Sequence, residues 1–189
     1  MFLQRTIRKR VPIQGVGLHT GKPTQLNFAP APENTGIYFV RTDLPGCPAI
    51  AARAEFVRAT SLATTVGGDE FSVSTVEHCL SALAAFRIDN LFIELDGPEI
   101  PIGDGSAKVF LDALMEAGMI EQNEPRKYAY IDQNIYYGDE EKYAYVAPYN
   151  GLRVTCTIEF SHPKIGHQTI DIDINEANKI DVGKKESYD

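Results

Sequence analysis

Hydrophobic and polar residues alternate in short runs along the first 125 residues, and Gly, Pro, Asn and Asp bound each run. Thr24–Phe28 (TQLNF), Gly36–Val40 (GIYFV) and Asn90–Leu95 (NLFIEL) have the β-branched and aromatic content of strands. Two stretches follow the helical period instead. In SVSTVEHCLSALAAF (Ser72–Phe86), Val76, Cys79, Leu80, Leu83 and Phe86 fall on one stripe at about 100° per residue, the face that packs on a core. In Ser106–Ala117, the apolar residues Val109, Phe110, Ala113, Leu114 and Ala117 recur at the same spacing, and Gly118 is placed to end the helix. Pro30–Gly36 (PAPENTG) and Asp96–Ala107 (DGPEIPIGDGSA) read as polar loops.

The pattern changes after the polar stretch Glu121–Lys127 (EQNEPRK), which marks a domain boundary. Residues 1–122 form the first α+β domain. Residues 127–174 start a second domain with strands only: YAYIDQNIYY, KYAYVAPY, LRVTCTIEF and HQTIDIDI. Residues 175–189 are polar, lack a period and read as a frayed tail. A sheet must bury one face against another layer, and no amphipathic helix follows these strands to supply it. The first domain, a partner or sequence missing from the chain must therefore cover that face.

Composition narrows the function classes. With 18 basic and 26 acidic residues the net charge is -8, which argues against nucleic acid as the main partner. No apolar run reaches the roughly 20 residues of a transmembrane helix, and the basic N-terminus lacks the apolar centre of a signal peptide. Cys47, Cys79 and Cys156 are widely spaced and odd in number, forming neither a disulfide framework nor a CxxC pair. A reducing cytoplasm is the expected location.

The candidate chemistry sits in the first turn of the first helix, where Glu77 and His78 are adjacent. Ser74 and Glu77 form an S-x-x-E capping box before an apolar run, so the helix is predicted to start near Ser74, with the Glu77 carboxylate reaching back to the Ser74 N–H. His78 lies off the apolar stripe, beside Ala82 and Ala85, where its ring has room to face a cleft. The helix dipole there disfavours imidazolium and suits the neutral form that a metal requires. A structural cap and a catalytic carboxylate are both open readings of Glu77. Elsewhere, GVGLHTG (Gly15–Gly21) is a tight turn around His19 rather than a dinucleotide fingerprint. Glu99 and Asp104 flank IPIG as a possible acid/base pair, although a solvated loop is the simpler reading. His162 and His167 read as surface residues.

GVGLHTGK, PAPENTG, VRTDLPG, STVEHCLSAL, IDN, GPEIPIGDGSAKVF and the HP of EFSHPKI occur together and in order, from about Arg5 to Ile174. In these motifs the chain resembles the UDP-3-O-acyl-N-acetylglucosamine deacetylases, zinc hydrolases that commit a precursor to lipid A. The resemblance implies a zinc cofactor, with His78 of Thr75–His78 (TVEH) as one ligand and Glu77 as the base that activates the attacking water. It implies two similar halves, each a sheet with a helix pair, the helices packed face to face between the sheets. It also implies further ligands in an H-x-x-x-D motif and a later histidine acting as general acid, none of which has a counterpart here.

Three expectations follow. The leading one is an incomplete form of the zinc deacetylase, acting on UDP-3-O-acyl-N-acetylglucosamine, inactive and weakly zinc-binding by itself, and self-associating or met by a complementing chain. The second is a non-catalytic module that binds a UDP-sugar lipid or a partner chain. The third is a rearranged metal site built from His78, His162 and His167.

Overall fold

The computed structural model describes residues 2–174, which divide into two compact units, one ending at Arg126 and the other starting at Lys127. In chain order the first unit contains β1 (Leu3–Ile7), β2 (Val11–Val16), β3 (Pro23–Pro30), β4 (Ile37–Arg41), β5 (Ala49–Ala51), β6 (Val57–Ala59), β7 (Thr65–Gly67), β8 (Ser72–Val73), α1 (Glu77–Phe86), β9 (Leu91–Leu95), α2 (Lys108–Ala117) and β10 (Met119–Pro125). The second contains β11 (Ile135–Gly138), β12 (Tyr143–Val146), β13 (Leu152–Glu159) and β14 (His167–Ile174). The class is α+β.

The centre of the first unit is a five-stranded sheet of order β2-β3-β9-β4-β5, antiparallel except for the parallel β4–β9 pair. Strand periodicity sends alternate residues to one face. Leu26 and Phe28 of β3, Phe39 of β4, and Leu91, Ile93 and Leu95 of β9 are fully buried. They share one core with Cys79, Leu83 and Phe86 of α1 and Phe110, Leu111 and Leu114 of α2. The helices pack on each other, and α2 also packs on β2. Both end at a residue with positive φ: Arg87 donates its N–H to Ala84 O and Leu83 O, and Gly118 donates to Leu114 O. The small sheet β6-β7-β8 leads into α1.

The polar stretch Glu121–Pro125 proves to be strand, paired antiparallel to β1. A buried amide network explains why a polar sequence holds there. Asn90 is buried and donates to Gln4 Oε1 at 2.8 Å and Gln122 Oε1 at 2.7 Å, while its own Oδ1 accepts from the Gly36 N–H. Gln122 in turn donates to Ala31 O at 3.0 Å. PAPENTG and IDN are therefore parts of one structural device.

The second unit holds two hairpins, β11–β12 and β13–β14, and no helix among its described residues. In the longer hairpin, Leu152, Val154 and Cys156 stand opposite Ile174, Ile172 and Ile170. The alternate positions pair Arg153 with Asp173, Thr155 with Asp171 and Thr157 with Thr169. One face is therefore apolar and the other polar. The expected polar tail, 175–189, lies outside the described residues.

Phe110 is fully buried against Phe28, with ring centroids 6.4 Å apart. Phe110→Ala is expected to cost about 3–5 kcal/mol of stability, measured by urea unfolding. Truncation of Tyr137, 82% exposed, is expected to stay within about 0.5 kcal/mol.

Candidate active site at the start of the first helix

The approach to α1 is unusual. Thr75 has φ +60°, a left-handed conformation that a β-branched residue rarely adopts. On its N-terminal side Ser74 is extended: its N–H donates to Pro98 O at 2.9 Å and its carbonyl accepts from the Ile100 N–H at 3.1 Å. Val76 is already helical, and α1 begins at Glu77. The capping box is therefore not formed. The left-handed residue turns Ser74 out of the helical path, and no side chain caps the helix at its N-terminus. The Ser74 hydroxyl pairs instead with Thr65 Oγ1 at 3.0 Å, and Glu77 Oε2 accepts the Thr64 N–H at 3.0 Å. Glu77 thus braces the loop before β7.

Glu77 and His78 are the first two residues of α1, and both are half-buried. His78 Nδ1 is a buried atom, and the His78 carbonyl accepts from Ser81 Oγ at 2.9 Å. Ala82, on the His78 side of the helix, is fully buried, so the packed face is broader than the predicted stripe. The site's acidic residue and imidazole therefore project from one helical turn at its positive end.

Glu99 departs furthest from expectation. It is no solvated loop residue: it is 1% exposed. Oε1 accepts the His19 N–H at 2.8 Å and the Thr75 hydroxyl at 3.1 Å, and Oε2 accepts the Thr20 N–H at 2.8 Å. Burial pushes its pKa up, but the bonds from His19, Thr20 and Thr75 outweigh burial and hold it below its ordinary 4.5. A Cβ at Gly17 would overlap Glu99 Oε2 and Thr20 Oγ1, which is why glycine stands there. His19 itself is exposed on this turn, closed by Gly21 N–H to Gly17 O at 3.0 Å.

Asp104 does not join Glu99 as an acid/base pair. It is exposed, and its Oδ1 accepts from the Ser106 hydroxyl at 2.7 Å and the Ser106 N–H at 3.1 Å. Ser106 Oγ in turn accepts the Lys108 N–H, so the pair orders the start of α2. Hydrogen bonding to Ser106 holds the Asp104 carboxyl below its usual range. Burial pushes the Cys79 thiol far up, which leaves it inert. His162 and His167 are engaged locally in the second unit: His162 Nδ1 accepts the Lys164 N–H, and His167 Nε2 lies 3.3 Å from Thr169 Oγ1. Among the described residues, no three His, Cys, Asp or Glu side chains gather into a group that could hold a metal ion.

Because the folded Glu99 pKa is depressed, its stabilisation is present above 4.5 and is lost as pH falls through the lower folded value. The stability difference between the wild type and Glu99→Gln is therefore expected to be largest near neutral pH and to shrink below about pH 4, as read by urea unfolding across that range. A difference that grows on acidification would contradict this assignment.

The family model for UDP-3-O-acyl N-acetylglycosamine deacetylase matches residues 4–182. A UDP-3-O-acyl-N-acetylglucosamine deacetylase of Bdellovibrio bacteriovorus is 64% identical over 178 residues, covering 94% of this chain and 59% of that protein. Proteins of the same name from Myxococcus xanthus and Shewanella oneidensis are 47% and 48% identical, covering 94% and 87% of this chain and 56% and 54% of their own lengths. The chain thus spans little more than half the length of these relatives.

Proposed function

The chain belongs to the UDP-3-O-acyl N-acetylglycosamine deacetylase family, and on that premise we propose that the protein removes the N-acetyl group of UDP-3-O-acyl-N-acetylglucosamine by zinc-dependent amide hydrolysis. The products are acetate and a free 2-amino group, a step of lipid A biosynthesis. Cys47, Cys79 and Cys156 are free thiols, in keeping with a reducing cytoplasm. The observation that carries the reading is the adjacency of Glu77 and half-buried His78 at the start of α1.

The donor set fits zinc in kind. A neutral imidazole at a helix N-terminus is a suitable ligand, and His78 would hold the ion. Catalytic zinc usually takes three protein ligands, of which His78 would be one. Zinc, when bound, would supply Lewis acidity toward the amide carbonyl. Glu77, oriented by the Thr64 N–H, would take a proton from the attacking water as the water oxygen bonds to the amide carbon, and a proton would be returned to the nitrogen as the carbon–nitrogen bond breaks, giving acetate and the free amine. The exchange of its cap partner, Thr64 in place of Ser74, leaves the carboxylate at the helix start.

The test joins this chain to the C-terminal remainder of the Bdellovibrio bacteriovorus relative. The joined protein is expected to hold near-stoichiometric zinc and to release acetate, while the 189-residue chain alone does neither. In the joined protein, Glu77→Gln is expected to retain zinc and to lose about 10²–10⁴-fold in turnover, with about 1 kcal/mol lost from the Thr64 contact. Full turnover by Glu77→Gln would reduce that residue to a brace. A joined protein that folds without zinc or acetate release would favour the non-catalytic module.

A further inference from the structure

Three segments far apart in sequence meet on the Glu99 carboxylate: the Gly17–Gly21 turn through His19 and Thr20, the left-handed Thr75, and Glu99's own strand-like stretch bridged to Ser74. Thr75 is only two residues from Glu77. A left-handed threonine is strained and persists only where its surroundings over-determine it. Here its hydroxyl bond to Glu99 Oε1, its burial, and the two backbone bonds of Ser74 provide that constraint. Glu99 leaves no slack on the other side, because Gly17 is packed against its Oε2. A shift of the turn must therefore move the carboxylate, and a shift of the carboxylate must move Thr75.

We propose that Glu99 is a positioning residue that couples the turn carrying His19 to the Thr75–His78 junction, so that the placement of Glu77 and His78 depends on that turn. The effect on catalysis rests on the deacetylase reading above; the coupling itself does not. Glu99 accepts the Thr75 hydroxyl and acts on the junction through Thr75.

The coupling is tested in the 189-residue chain by backbone-amide NMR with reciprocal substitutions. Thr75→Val removes the hydroxyl at nearly constant shape and is expected to shift the His19 and Thr20 amides. Gly17→Ala displaces the carboxylate from the other side and is expected to shift the Glu77 and His78 amides. Thr75→Ser keeps the hydroxyl and is expected to leave His19 and Thr20 as in the wild type. In the joined protein, Thr75→Val and Gly17→Ala are expected to lower kcat and zinc affinity about 10–100-fold, with KM changed by less than about twofold, and Thr75→Ser to restore both. Shifts confined to the substituted segment, or losses expressed in KM alone, would overturn the proposal. Cross-shifts in the chain alongside a wild-type joined protein without turnover would sustain the coupling and reject the deacetylase reading.

Discussion

A buried, ionised Glu99 carboxylate organises the approach to α1. Placing a charge in a protein interior is costly unless hydrogen bonds replace its water. Glu99 receives them from two backbone N–H groups of a tight turn and from a threonine hydroxyl. Bonds to a charged acceptor are stronger than neutral ones, and they hold Thr75 in a conformation it would otherwise avoid. The start of α1 follows: Thr75 turns the chain, Val76 enters the helix, and Glu77 and His78 emerge together on its first turn.

The rest of the first unit gives this junction a rigid base. The five-stranded sheet and the two helices share one continuous core, and α1 contributes Cys79, Leu83 and Phe86 to it directly behind the site. A second buried polar device, the Gln4–Asn90–Gln122 amide network, ties β1 and β10 to the residue that precedes β9. Both devices use polar side chains whose hydrogen bonds are satisfied, the condition under which buried polar groups specify a fold rather than weaken it. The second unit contrasts with this. Its hairpins pair Arg153 with Asp171 on one face, while Leu152, Val154 and Ile170 on the other are exposed.

Local periodicity made much of this legible. The helices and the strands around Thr24–Phe28, Gly36–Val40 and Asn90–Leu95 were visible because each carries several apolar residues at a clear period. Strands of two or three residues, such as β5 to β8, carry too few positions to show one. The capping box failed because a sequence pattern four residues long cannot reveal the left-handed turn at Thr75, which depends on Glu99 from 24 residues away. Glu99 itself sat in a polar-looking loop. Its only local signals were its place between Pro98 and Ile100 and the glycine turn whose N–H groups needed an acceptor. The Glu77–His78 pair was legible because the two residues are adjacent in the chain, so no tertiary contact was needed to bring them together.

That His78 is a metal ligand is a proposal about one side chain. Its most direct test is the zinc content, per folded molecule, of single histidine variants of the protein joined to the relative's C-terminal remainder. If His78 is a ligand, His78→Ala folds and loses bound zinc, while His162→Ala and His167→Ala retain the wild-type amount. Stoichiometric zinc in folded His78→Ala, or its loss in either of the other two, would contradict it.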